Sequence, residues 1–444
     1  MMSAQAYIAL NRFGLGARPG EADALGDPAR FLRDQVGNGA PLLPEFAAAP
    51  GSAQIMRELP ERNRMRDMAE ELLKQFRERF RSEMGLRFQH GFTSPTGFHE
   101  RLVWFWANHF TISVTNLRMF AWPSSYEREA IRPHVSGRFI DMLLAVVRHP
   151  GMLLYLDNAQ SIGPNSLAGK RIDRGLNENL AREILELHTL GVEGGYGQGD
   201  VLALAKILTG WSLKRGDEVV GEDAFNFFPN RHEPGGKTLL GVDYAEGYEE
   251  GVRALTALAS HPSTARHVAR KFARHFIADD PPVASVARLE SVFNDTNGDL
   301  GALAAAVIED EAAWQAEPRK MRAPVEYVTA AMRAFGGGAK MERKALDGLM
   351  NSCRLMGQFP YGAPSPKGWP DEAKAWAGPD AMLERVEWAH ALAARLPQKP
   401  DASALARDIL GPLMSEHSMT ILARAADPVQ GVALFLSSPE FQRR

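Results

Sequence analysis

The chain has 444 residues, of which 45% are hydrophobic and 24% charged, the balance of a folded globular protein and not of a disordered one. A formal net charge of −3 leaves no global basic footprint for nucleic acid and no charge excess to hold a membrane surface. The single cysteine, Cys353, excludes an intramolecular disulfide and a cysteine-rich metal site, and no window approaches the roughly 20 apolar residues of a membrane span.

At ~150 residues per domain the length suits about three domains or one large helical unit. The expectation is a single unit over 1–444, with any sub-boundary in the Pro/Gly-rich stretch 357–379. Residues Met1 to Arg12 carry no basic n-region and too short an apolar run for an h-region, so the expected location is cytoplasmic. Along the chain, periodicity favours helices. Leu59 to Met84 is amphipathic, with Leu72, Leu73, Phe76 and Phe80 near one stripe and glutamates interspersed among its arginines, which reads as a solvated helix. Ser94-Pro95 reads as an N-cap with proline at the first helical position, opening a helix to about Phe110. A further apolar helix is expected over Pro133 to Leu156, then a polar loop from Asn158 to Gly175.

Asn177 to Leu190 reads as a helix stopped at Gly191, a residue suited to a left-handed C-cap. After a glycine-rich turn, Asp200 is placed to cap a second helix, Val201 to Thr209, closed by Gly210. Together they form a helical hairpin. Phe225 to Phe228 and Thr238 to Leu240 flank Pro234-Gly235-Gly236, which predicts a small β-hairpin near 225–240. Helices resume at Ser263, a plausible N-cap, and run to Trp314 with a break near Asn294 to Gly298. Another helical block spans Pro324 to Met356, and two more helices follow the loop 357–379. The fold class expected is mainly α: a large multi-helix unit with one small β-hairpin insertion.

Several motifs fail on spacing. Gly163 to Arg171 has five residues between its glycines and Arg171 after Lys170, where a phosphate-binding loop needs four and then Ser or Thr. Asp295 to Asp299 opens like a calcium loop but puts Leu300 at the sharp-turn glycine and Ala306 at the bidentate glutamate. Gly336-Gly337-Gly338 follows no strand, and neither His-Glu-x-x-His nor Gly-x-Ser-x-Gly occurs.

What remains is a concentration of polar residues. The 100° helical step puts Asn179, Glu183 and Glu186 on one face with Arg182 beside them, and Glu178 and Arg182 are spaced for an i,i+4 pair. Such pairs also occur on ordinary surface helices. A buried carboxylate needs a partner, and Arg182 is the obvious one. His109 shares the Leu102/Phe105/Trp106 side of its helix, where a hydrogen-bonded structural role competes with a ligand or base role. His232 and Lys237 sit on a tightly turned loop.

Phe105-Trp106-Ala107-Asn108-His109-Phe110 and the run from Asn177-Glu178-Asn179 through Arg182-Glu183 and Glu186-Leu187-His188 to Gly191 resemble the signatures of a large bacterial family, "domain of unknown function 1800". Asn11 to Gly16, Asp200-Val201, Thr209-Gly210-Trp211, His232 with Lys237 and Gly241, and Arg270-Lys271-Phe272 continue the likeness in order. The resemblance implies a mainly helical single unit. It also implies a shared site among His109, Asn177, Glu178, Asn179, Arg182, Glu183, Glu186, Asp200, Thr209, Trp211, His232 and Lys237. His188 departs from the pattern, where an aromatic residue is common, and is left out. The resemblance further implies a sulfatase-like partner protein, and export in many relatives.

Two functions from different classes follow. One is a metal-assisted or hydrolytic enzyme in which Glu183, His109 and Arg182 are candidate catalytic residues. In it Asn177, Glu178, Asn179, Asp200, Thr209, Trp211 and Lys237 are candidate binding residues, and a divalent metal is held by His109, Glu183, Glu186 and His232. The other is a non-enzymatic scaffold or partner protein whose polar cluster is structural.

Overall fold

The computed structural model describes residues 4–59, 69–171, 175–337 and 340–444. Parts of the predicted first long helix (60–68) and of the polar loop (172–174), and Gly338, lie outside the described residues. Near the start, α1 (Ala4–Ile8) runs into a π-helical turn, Ala9–Phe13, that is buried throughout. Helix α2 (Ala69–Thr93) buries Phe76, Phe80, Met84, Phe88 and Phe92, four residues apart, so one face carries the whole stripe. It runs past the predicted end at Met84 and stops where Pro95 disfavours helical geometry in Ser94. Helix α3 (Gly97–His109) begins two residues after Pro95. Ser94 Oγ accepts the Thr96 N–H at 3.2 Å, so this serine caps a turn and not the helix.

The predicted helix over 133–156 is two: α4 (Phe139–Arg148) and α5 (Pro150–Tyr155), divided at His149 by the proline that follows it. The predicted hairpin forms from α6 (Asn179–Glu183), prolonged by a π-turn over Ile184–His188, and α7 (Gln198–Ile207). Gly191 ends the first arm at φ +83°, a conformation that disfavours other residues. Asp200 lies inside the first turn of α7, where its carboxylate accepts the Gly197 N–H at 2.9 Å, instead of at the N-cap.

The β region differs from the expectation. Strands near 225 and 238 do not pair with each other. Instead β1 (Trp211–Leu213) pairs antiparallel with β2 (Phe225–Phe227), and β3 (Lys237–Leu239) with β4 (Val242–Tyr244). The second hairpin turns on Leu240 and Gly241, both at positive φ (50° and 77°), as a two-residue hairpin turn requires. A leucine is an unusual choice there, and the Leu240 N–H is fixed by Asp200 at 2.7 Å.

After α8 (Tyr248–Ala259), α9 (Pro262–Phe276) is capped by the ring of His261, which accepts the Ser263 N–H, so the cap lies two residues before the one expected. The predicted break separates α10 (Val283–Asp295) from α11 (Leu300–Ile308), with Asp299 capping the latter. Then come α12 (Pro324–Ala334), α13 (Arg343–Leu355) and the long loop. Behind the loop stand more helices than the two expected: α14 (Pro379–Arg395), α15 (Ala402–Ile409), α16 (Glu416–Ala423) and α17 (Pro428–Ser437). Among the described residues, helices dominate and strands are confined to the two hairpins. No helix among them is long and apolar enough to cross a membrane. One buried apolar cluster includes residues from Ala6 to Phe441. The backbone of Lys320 both donates to and accepts from Arg444, at 3.1 and 2.8 Å, tying the final residues beside the start of α12.

Candidate functional site

The polar residues of the helical hairpin are brought into two different settings. Glu178, Arg182 and Gln198 form a surface triad: Arg182 donates to Glu178 at 2.8 Å and to Gln198 at 3.1 Å, with the arginine side chain 42% exposed. Arg182 therefore does not neutralise a buried carboxylate. The Asn177 side chain accepts the Asn179 N–H at 2.9 Å and so shapes the start of α6. Glu183 and Glu186 are half-buried, and burial together with the neighbouring Glu186 charge raises the Glu183 carboxyl.

The second setting is a closed polar knot behind β1. Thr209 donates to the Lys206 carbonyl at 2.5 Å and accepts the Glu233 N–H at 2.8 Å. His232 Nδ1 donates to the Thr209 carbonyl at 2.8 Å, and its Nε2 lies 3.1 Å from Glu250. Lys237 reaches Glu250 at 3.0 Å and the Glu233 carbonyl at 2.6 Å. Trp211 is buried nearby against Tyr248 and the guanidinium of Arg148. These partners consume the polar atoms of His232 and Lys237, while Glu250 Oε1 has no hydrogen-bond partner among the described residues. Glu250, absent from the predicted set, is the knot's central charge.

The proposed metal set of His109, Glu183, Glu186 and His232 is not assembled. Among the described residues no group of three or more His, Cys, Asp or Glu side chains is arranged to hold a metal ion. His109 packs with Phe105, Trp106, Phe110 and His267, whereas His232 belongs to the separate knot. What His109 does face is a cleft of about 710 Å³, bounded by the last turn of α3, by α9, by the start of α12 and by the long loop from Gln358 to Lys374. That volume lies within the ~300–1,000 Å³ of small-molecule sites.

The loop crosses the cleft as a strap held at both ends. The Asn108 amide grips the backbone of Trp369, donating to its carbonyl at 2.9 Å and accepting its N–H at 2.8 Å. Beside it Gly368 (φ +80°) has no room for a Cβ, which would fall 2.4 Å from the Asn108 carbonyl oxygen. On the far side, Asp371 accepts from His275 Nδ1 at 2.9 Å, and Lys320 bridges Asp279 and the Asp371 carbonyl. On the near side, Tyr361 donates to Glu127 at 3.0 Å.

The π-turn gives the cleft its histidines. Its wider turn closes when the Thr189 N–H bonds the Ile184 carbonyl, five residues back. The Leu187 and His188 carbonyls then accept from His267 Nε2 at 3.0 Å and His109 Nε2 at 3.1 Å. Both imidazoles are kept neutral. Burial and the nearby Lys271 charge push His267 down to about 4, and the same two causes hold His109 well below its ordinary value. His188, excluded on sequence grounds, is fully buried and pushed down to about 3 by burial and Lys271.

The charges lining the cleft do not cancel. Arg87 is bound to Glu127 at 2.5 Å, while Arg274 and Lys374 share Glu372 at 3.5 and 3.3 Å. Glu326 is held by Arg101 and Arg444, and Asp371 by His275 and Lys320. Arg270, Lys271 and Lys367 remain, with no ion pair among the described residues. Burial lowers the Lys271 ammonium to about 8. Asp371 opposes this, and the Lys367 and Arg274 charges reinforce it. The sequence signal for this site is the spacing His267, Arg270, Lys271, Arg274 on α9, a polar stripe at i, i+3, i+4, i+7 with three cations beside the neutral His267, opposite Ala265, Ala269, Phe272 and Phe276.

Fold and cleft together define a helical protein with a strapped, cationic, small-molecule-sized cleft. The chain belongs to the family described as "Protein of unknown function (DUF1800)", whose sequence profile matches residues 8–443. Neither a curated protein nor a solved structure matches it.

Proposed function

We propose that the protein binds a small organic anion in this cleft, with Arg270, Lys271 and Lys367 holding its charge and Phe105 and Trp369 its apolar part. The observation that carries this reading is the surplus of unpaired cations in a cleft whose carboxylates are all already paired. Arg270 and Lys367 are exposed and solvated, so the cost of a missing counter-ion falls on the half-buried Lys271, and an anionic ligand held by all three relieves it. The reading moves the working residues from the helical hairpin to α9. From the predicted set it keeps His109 as a neutral group lining the cleft, beside the half-buried amine of Lys271.

Calorimetry and thermal unfolding with inorganic phosphate and phenyl phosphate test it. Saturable binding is expected, tighter for phenyl phosphate and weakening with added salt as screened charges do. The variant Arg270→Glu should weaken it by at least about tenfold, or roughly 1.4 kcal/mol. No binding of either anion up to about 10 mM, a range that reaches affinities weaker than about −4 kcal/mol, would sink the reading.

A further inference from the structure

We infer that Lys271 is a nucleophilic amine that forms an imine with a carbonyl compound carrying a negative charge. The inference rests on the anion-binding reading and adds to it the class of ligand and the atom that reacts. Its first support is a contrast among the lysines. The two fully buried lysines are locked, Lys237 by Glu250 and the Glu233 carbonyl, Lys320 by Asp279 and the Asp371 carbonyl, and of the half-buried lysines without a partner among the described residues (Lys206, Lys214 and Lys271) it is Lys271 that lines the cleft. Lys271 lines the cleft half-buried, with no hydrogen bond or ion pair among the described residues. A lysine placed to stabilise the fold would be expected to have acceptors, whereas one placed to react needs its nitrogen free.

The second support is the company it keeps. Lys367 and Arg274 are close enough to disfavour its charge, and the carboxylate that favours it, Asp371, is already engaged by His275 and Lys320. Burial beside other cations is how a lysine becomes nucleophilic near neutral pH, and here it brings the ammonium down to about 8. The same cations, with Arg270, supply the site for the ligand's carboxylate or phosphate.

The step balances without a further reactant. The free amine attacks the carbonyl carbon, the C–N bond forms, and the carbonyl oxygen takes a proton to give a carbinolamine. Loss of that oxygen as water then leaves a protonated imine. Overall, ammonium plus carbonyl gives iminium plus water.

The test treats the full chain with sodium cyanoborohydride and pyruvate, D-glyceraldehyde 3-phosphate or acetone, and maps the reduced adducts by peptide mass spectrometry. Lys271 should be modified at least about tenfold faster than Lys340, whose side chain is 81% exposed, by one or both anionic carbonyls, with saturation and competition by inorganic phosphate. Labelling by pyruvate alone would assign a 2-oxo carboxylate, by the phosphorylated aldehyde alone a phosphate ester. The pH profile should rise near 8, where the free amine appears. Lys271→Arg should lose the adduct. If Lys271 in the wild type reacts no faster than Lys340, or as fast with acetone, the inference is overturned. A phosphate shift that persists then leaves the anion-binding reading standing, and its absence removes both.

Discussion

Glu83 shows how burial alone decides the chemistry of a residue. It is 5% exposed, its Oε1 has no partner among the described residues, and burial raises its carboxyl to about 7 against the pull of Arg79 and Arg128. With the folded value above the ordinary 4.5, the folded state keeps a proton that the unfolded chain gives up. This contribution to stability is complete below about pH 4.5 and is lost as pH rises to about 7. Glu83→Gln should remove that slope and be more stable at pH 8 by up to about 3 kcal/mol, read from urea denaturation at several pH values. The sequence could not distinguish Glu83 from the exposed glutamates around it, because three-dimensional neighbours set its environment. The same limit applies to Arg182. Its i,i+4 spacing to Glu178 was legible and the pair forms, but the expectation of a buried partner was wrong, and an exposed pair of this kind contributes at most about 1 kcal/mol.

At the scale of elements, apolar periodicity was legible, whereas the caps expected at Ser94, Asp200 and Ser263 and the unbroken helix over 133–156 were not found. The stripes of α2 and α3, the stop at Gly191 and the hairpin of α6 and α7 all follow from periodicity and turn residues. The β pairing was not legible, because its second turn uses Leu240 at positive φ and depends on a bond from Asp200, forty residues away. The strap was legible only as a Pro/Gly-rich loop, since its anchors, Asn108, Glu127, His275 and Lys320, lie far from it in sequence. Asn108→Ala should free both backbone groups of Trp369 and cost about 1–3 kcal/mol. Faster cleavage within 357–378 under limited proteolysis would report the release, and a cleavage rate equal to wild type would show that the far-side anchors suffice.

For the whole molecule, stability depends on carboxylates locked inside it. Glu100 and Glu127 share Arg132, and Glu127 also holds Arg87 and Tyr361, while Glu326 joins Arg101 to Arg444. Although burial opposes it, these partners hold all three carboxyls below 4.5. Their contribution is therefore present above pH 4.5 and is lost as acid drives protonation of the folded state. The urea midpoint should fall steeply below about pH 4, in the direction opposite to the Glu83 slope. A midpoint that does not move between pH 5 and 3 would contradict the network. Only Glu127 and Arg132 are near in sequence, five residues apart, whereas Arg87 and Glu127 are 40 apart and Arg101 and Glu326 225, which is why the sequence suggested a helical fold but not what braces it.

The pairing of residues 320–322 with 442–444 has a consequence for biosynthesis. Glu326 lines the cleft and relies on Arg444 for one of its two guanidinium partners. A ribosome adding ~5–20 residues per second completes the earlier helices several seconds before Arg444 is made. During that interval the nascent chain has a half-neutralised glutamate and an open cleft wall. The Glu326 side of the cleft is thus completed only once Arg444 has been made, and a chain cut before Arg444 should leave Glu326 with Arg101 as its one guanidinium partner.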